Sequence, residues 1–204
     1  MRSMKDLFIL AADKNAEYAL KGALARPLAL GIRPVEFEIR THPGRDGGTC
    51  KTGPDLLALQ RRQYRHGLLV LDFEGSGTDL ADALTLEVQL NGRLHNHWKD
   101  AGKAIVIEPE LDVWIWGSDN AVEASIEWPA GKSIREWLRE QGFAFDANEK
   151  PARPKEALEA ALRVPDLPRS SALYHHIASR ISLPRCKDAA FIRLRNQLLA
   201  WFPK

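Results

Sequence analysis

The stretch Leu68-Leu69-Val70-Leu71-Asp72-Phe73-Glu74-Gly75-Ser76-Gly77 constrains this chain more than any other. Four consecutive apolar residues run into two acids one residue apart, and then into a glycine-rich turn. A short apolar run closed by a turn reads as a strand buried on both faces, the kind found in parallel sheets. The carboxyl end of such a strand opens on the crevice where α/β sheets bind ligands. Asp72 and Glu74 stand at that end, and their oxygens suit a hard divalent cation such as Mg²⁺. The alternative role for Asp72 is to start a turn and cap the following helix.

Other segments extend the pattern. Leu7–Ala12 reads as a buried strand followed by the polar turn Asp13-Lys14-Asn15. Residues 16 to about 30 read as a helix stopped by Gly31. Val35 to Arg40 alternates Val35, Phe37 and Ile39 against Glu36, Glu38 and Arg40, a strand with one wet face near a sheet edge. Pro43 to Gly48 reads as a flexible loop. Pro54 to about Tyr64 reads as a helix with proline in its first turn and a basic end at Arg61, Arg62 and Arg65. Asp79 to Leu90 follows as a helix with Leu80, Ala83, Leu84 and Val88 on one face, and Ala104–Ile107 as a fourth strand.

Strands alternating with helices predict an α/β fold with a mainly parallel central sheet, Rossmann-like, flanked by helices. Leu7–Ala12, Leu68–Phe73 and Ala104–Ile107 should be adjacent in its centre, with Val35–Arg40 outside them. The chain changes character near Pro129. Ser133 with Glu136 reads as a capping box, and Lys155–Arg163, Ser170–Ile181 and 187–202 are helical in pattern. The expected organisation is an α/β unit over 1–129 and a C-terminal helical layer over 130–204, packed on the same core through Leu173, Ile177, Ile181, Phe191, Leu194, Leu198 and Trp201.

Composition narrows the function classes. The net charge of +2 is too small to mark a nucleic-acid binder by itself. Cys50 and Cys186 have no metal-ligand spacing and suggest no disulfide framework, which favours a reducing cytoplasm. Leu7–Ala12 is too brief for a signal sequence, and no stretch approaches the roughly 18 apolar residues of a membrane span, so no membrane partner is expected. His95-Asn96-His97 and His175-His176 lack further ligands at Zn²⁺ spacing.

The order strand, polar turn, helix, then a strand ending in Asp72-Phe73-Glu74, then a strand leading into Glu108-Pro109-Glu110-Leu111-Asp112-Val113-Trp114-Ile115-Trp116, resembles TOPRIM-like proteins. It is closest to a family of predicted bacterial TOPRIM-like proteins, several of which sit in phage-defence and mobile-element loci. The tail resembles that family too, from Lys150-Pro151 through Ser170–Ile181 and Cys186–Phe191 to a closing amphipathic helix.

The resemblance implies an anti-phage defence component, a Mg²⁺- or Mn²⁺-dependent nuclease acting on DNA or RNA. Asp72 and Glu74 map onto the family's paired acids, as catalytic residues and metal ligands. The family's first-strand Glu is missing here. Its place is held by Ala12 or Asp13, and Glu17 lies one helical turn further on. Asp13 and Glu17 are therefore the stand-ins. The departure opens the alternative of a catalytically degenerate fold, serving as a protein- or nucleic-acid-binding subunit of a defence complex.

Further candidates come from the residues. Glu108, Glu110 and Asp112 follow the fourth strand, so they either complete a metal site or enrich the first turn of a helix. Trp114 and Trp116 read as core rather than as a stacking platform, since stacking on nucleic acid needs basic neighbours. His42, Arg45 and Lys51 form a basic loop that is either plainly solvated or able to grip phosphate, and Arg61 and Arg62 add positive charge or simply favour the end of a helix.

Overall fold

The central strands form because their residues are apolar on both faces. In the computed structural model, which describes residues 4–129 and 131–204, β1 (Lys5–Ala11) and β3 (Tyr64–Asp72) pair in parallel. β2 (Phe37–Thr41) flanks β1, and β4 (Gly102–Ile107) flanks β3. The order is β2-β1-β3-β4, all parallel. The three apolar strands are adjacent as expected. β4 is the outermost of them, however, not central.

Helices cover both faces. Leu7, Ile9, Leu68, Val70, Ile105 and Ile107 point into one apolar cluster. It is shared with α1 (Lys14–Leu24), α9 (Ser171–Ala178) and α10 (Ala189–Trp201). Phe8, Leu10, Leu69, Leu71, Ala104 and Val106 point the other way, towards Leu57 of α3 (Arg45–Ala58) and Leu86, Leu90 and Leu94 of α4 (Ala83–Trp98). Period-2 alternation along buried strands thus builds a three-layer sandwich.

Between β4 and the C-terminal helices lie α5 (Asp112–Ile115), α6 (Asp119–Ser125), α7 (Ile134–Glu140) and α8 (Pro154–Leu162). α7 starts at the expected capping box, Ser133 with Glu136. Leu138, Leu158, Ile177 and Leu194 join the same cluster as the sheet, so the helical layer and the sheet share one core. Met1–Ser3 and Ala130 fall outside the described residues.

Several elements differ from the sequence reading. The helix expected over 16–30 is broken, because Pro27 lacks an N–H and restricts the residue before it. α1 ends at Leu24, and a short α2 (Pro27–Leu30) follows, closed by Gly31 in the left-handed conformation. The loop expected at Pro43–Gly48 is largely the start of α3, and the helix expected over 54–64 is not a separate element. α3 stops at Ala58, and Tyr64, Arg65 and His66 belong to β3.

Pro54 sits inside α3, not in its first turn. Its missing N–H leaves the Cys50 carbonyl without a helical donor. The Arg93 guanidinium supplies one, donating to the carbonyls of Cys50 at 3.0 Å and Lys51 at 2.7 Å. The glycines let α3 approach its neighbours. A Cβ on Gly48 would lie 2.5 Å from the His42 ring, and one on Gly53 would lie 2.8 Å from Leu69. α4 begins later than expected, after its cap Asp82, and runs to Trp98. Its buried face is therefore Leu86, Leu90 and Leu94, while Leu84 and Val88 are exposed.

Among the described residues, no helix is long and apolar enough to cross a membrane.

Candidate active site at the carboxyl edge of the sheet

From β1 the chain runs to β2 on one side and then to β3 on the other, so the switch point of this sheet lies between β1 and β3. Ligand crevices in open α/β sheets form outside the carboxyl ends of strands at such a point. Asp13 follows β1 there and Asp72 ends β3 there.

Asp72 does not cap a helix. A loop separates it from α4, whose cap is Asp82. Its backbone N–H donates to Asp46 Oδ1 at 2.8 Å. Burial pushes the Asp72 carboxyl well above the ordinary aspartate range, and the carboxylates of Asp46, Asp13 and Asp112 push it further, against a favourable backbone amide at Leu111.

Asp46 escaped the sequence reading. It lies in Gly44-Arg45-Asp46-Gly47-Gly48, which reads as a basic loop and is the first turn of α3. Burial raises its pKa first, with the Asp13 charge adding, while the Asp72 N–H works the other way. The available signal was positional: an acid placed just after a strand, like Asp13 and Asp72. The first turn of α3 meets the turn after β3, where Gly75 and Gly77 take left-handed backbone.

The other predicted acids have varied fates. The Asp13 carboxylate accepts the Ala16 N–H at 2.9 Å as the N-cap of α1. Glu17 is held by Lys21 at 2.5 Å. Glu74 is exposed, and its backbone N–H donates to the Pro109 carbonyl at 3.0 Å. Glu108 is exposed.

Glu110 is held near Lys155 at 3.7 Å. Its pKa rises from 4.5 to about 7, mainly through burial and then through the Asp112 charge. Asp112 is fully buried, with both oxygens engaged. Tyr174 Oη donates to Oδ1 at 2.7 Å, and Arg169 Nη2 donates to Oδ2 at 2.8 Å. Asp112 therefore ties α5 to the helical layer. Trp114 and Trp116 are core residues, donating to Asp188 at 2.8 Å and to the Pro154 carbonyl at 2.9 Å.

The predicted cations separate into two groups. His42 lies at the carboxyl edge but is buried and engaged. Its Nδ1 accepts the Gly44 N–H at 2.9 Å, and its Nε2 faces Thr52 Oγ1 at 2.9 Å. An accepting Nδ1 makes the ring neutral, and burial lowers its pKa. It organises the start of α3. Arg45 and Lys51 are exposed on α3, and Arg45 has a positive φ of 50°. Arg61 and Arg62 lie just before β3, at the amino edge, and do not join the acids.

Among the described residues, no three histidine, cysteine or carboxylate side chains are arranged to hold a metal ion as they stand. The donor chemistry of Asp13, Asp46 and Asp72 nevertheless fits Mg²⁺. That ion keeps several waters and commonly takes only one or two carboxylates together with substrate phosphate. Three crowded acids also carry repulsion that a divalent cation would relieve.

No protein-family model matches the chain, and comparison with curated proteins and with solved structures finds no match.

Proposed function

We propose that this protein is a TOPRIM-like, Mg²⁺- or Mn²⁺-dependent nuclease of a prokaryotic anti-phage defence system, acting on DNA or RNA in the cytoplasm. The observation that carries the reading is the placement of Asp13 and Asp72 on either side of the sheet's switch point, with Asp46 bonded to the Asp72 backbone. A bound divalent ion would neutralise phosphate charge and acidify a water molecule.

The chain's own residues divide the remaining work. Asp72 and Asp13 would hold the ion. Asp46 fixes the end of β3. Arg45 and Lys51 draw in the phosphodiester backbone.

The test pairs cleavage with binding. Wild type should cut plasmid DNA or single-stranded RNA only with Mg²⁺ or Mn²⁺, and Asp72→Asn should abolish both cutting and calorimetric Mn²⁺ binding. Absence of both in wild type overturns the reading.

A second reading is a non-catalytic subunit that binds nucleic acid or other defence proteins. The engagement of Asp13 as a helix cap and of both Asp112 oxygens favours it. Nucleic-acid binding without cleavage, unchanged in Asp72→Asn, would select it.

A further inference from the structure

The two edges of the sheet are treated differently. On the outer side of β4, Asn91 Oδ1 accepts the Ala104 N–H at 2.9 Å and buried Glu87 accepts the Val106 N–H at 3.0 Å. Arg193 donates to the Val106 carbonyl at 3.2 Å and forks onto Glu87. Side chains thus close this edge to further strands. Among the described residues β2 has no such cover. The Leu7 N–H donates to the Glu36 carbonyl, and the His42 N–H donates to the Ala11 carbonyl. The parallel ladder therefore uses the even-numbered residues of β2 towards β1. The backbone groups of Phe37, Ile39 and Thr41 face outward, and among the described residues nothing beyond the sheet hydrogen-bonds them.

We propose that this free edge pairs with the same edge of a second copy of the chain, antiparallel, about a two-fold axis through Ile39. The residue pattern is its own complement in that register alone. Outward groups meet outward groups, with Phe37 opposite Thr41 and Ile39 opposite Ile39, so the backbone bonds close. On the other face Glu38 of each copy lies across from Arg40 of its mate, an attractive pair made twice. Within one chain Arg40 already donates to Glu38 at 2.8 Å, and the Tyr64 hydroxyl donates to the other Glu38 oxygen, so both charges stand on the same face of the sheet. Ile39 and Phe37 continue the apolar face of the core across the junction. A peptide lacking this alternation would leave the charges unmatched.

The full chain tests this by sedimentation equilibrium and amide hydrogen exchange. Wild type should dimerise at concentrations below about 1 mM, the range expected of a small interface. Exchange at Phe37, Ile39 and Thr41 should slow with concentration, while Glu38 and Arg40 stay protected throughout. Arg40→Glu alone and Glu38→Arg alone should each weaken association by about tenfold or more, because two like-charge pairs replace two attractive ones. An equimolar mixture of the two variants should restore it, since each then faces its opposite. A misfolded variant could not be rescued in this way. Thr41→Pro, which removes an outward N–H without touching the ladder to β1, should also give monomers. A monomeric wild type, or a dimer whose Phe37, Ile39 and Thr41 amides stay open, overturns the proposal.

Discussion

Asp46 Oδ1 accepts the backbone N–H of Asp72 at 2.8 Å, fastening the first turn of α3 to the carboxyl end of β3. One carboxylate therefore positions the strand end that presents another. Neither residue is near the other in sequence; the contact forms because α3 begins at the carboxyl edge of the sheet, where β3 ends.

That crowding makes a first prediction. An aspartate raised in the folded state binds its proton more tightly there than in the unfolded chain. Stability is greatest below the unfolded value and declines as pH rises through the folded one. Asp72→Asn should therefore raise apo stability at pH 7 by about 1 kcal/mol and flatten that decline. Thermal melts from pH 4 to 8 read it, and a large loss of stability in the variant would refute it.

Glu110 should titrate near 7 in carbon-detected NMR, because burial and Asp112 oppose its charged form. Its contribution to stability is complete below 4.5 and is lost as pH rises towards 7. Lys155→Met removes the nearest cation and should move the titration upward. A carboxyl titrating at the ordinary glutamate value would contradict this.

Asp112→Ala should be severe. It strips partners from Arg169 and from the buried Tyr174 hydroxyl, and breaking a buried pair costs about 3–5 kcal/mol. Urea denaturation measures the loss. A cost below about 1 kcal/mol would mean the network is solvated.

His66 stacks on Trp201 at 4.6 Å and meets Phe202 edge-on at 5.1 Å, with its Nδ1 buried and, among the described residues, unpartnered. Burial lowers its pKa below 6.5, and Arg61, Arg65 and Arg33 add to that against Asp6. The neutral ring is therefore favoured on folding, and its stability is present above 6.5 and falls away as pH drops. Trp201 emission should report a loosening of the end of α10 between pH 6.5 and 5. His66→Phe should remove that step, and an unchanged pH profile in the variant would count against it.

Two glycines in helices should respond in opposite directions to alanine. Gly92→Ala meets open space within α4 and should stabilise by about 0.5–1 kcal/mol. Gly48→Ala drives a methyl into the His42 ring and should destabilise by about 1–3 kcal/mol. Chemical denaturation of both variants decides.

The elements legible in advance were those with local causes. β1, β3 and β4 announced themselves as apolar runs, β2 by its alternation, and α7 by Ser133 and Glu136. The part of α3 before Pro54 was illegible because three of its residues are glycines, poor helix formers, and a proline follows them. They are tolerated because His42, Leu69 and Arg93 surround them in space. At the candidate site, Asp13 and Asp72 were legible from their places after strands. Asp46 was not, because its meaning depends on α3 beginning beside β3.

By itself, then, the sequence determined the parallel α/β class, the strands and the starts of α7, α8, α9 and α10, because burial and capping act over a few residues of chain. Tertiary structure alone decided which acids gather at the carboxyl edge, that Arg61 and Arg62 stand at the other edge, and that β4 is sealed by Glu87, Asn91 and Arg193 while, among the described residues, β2 stays open. These are contacts between segments distant in sequence, and their energies depend on distance and dielectric in the folded state, which no local pattern encodes.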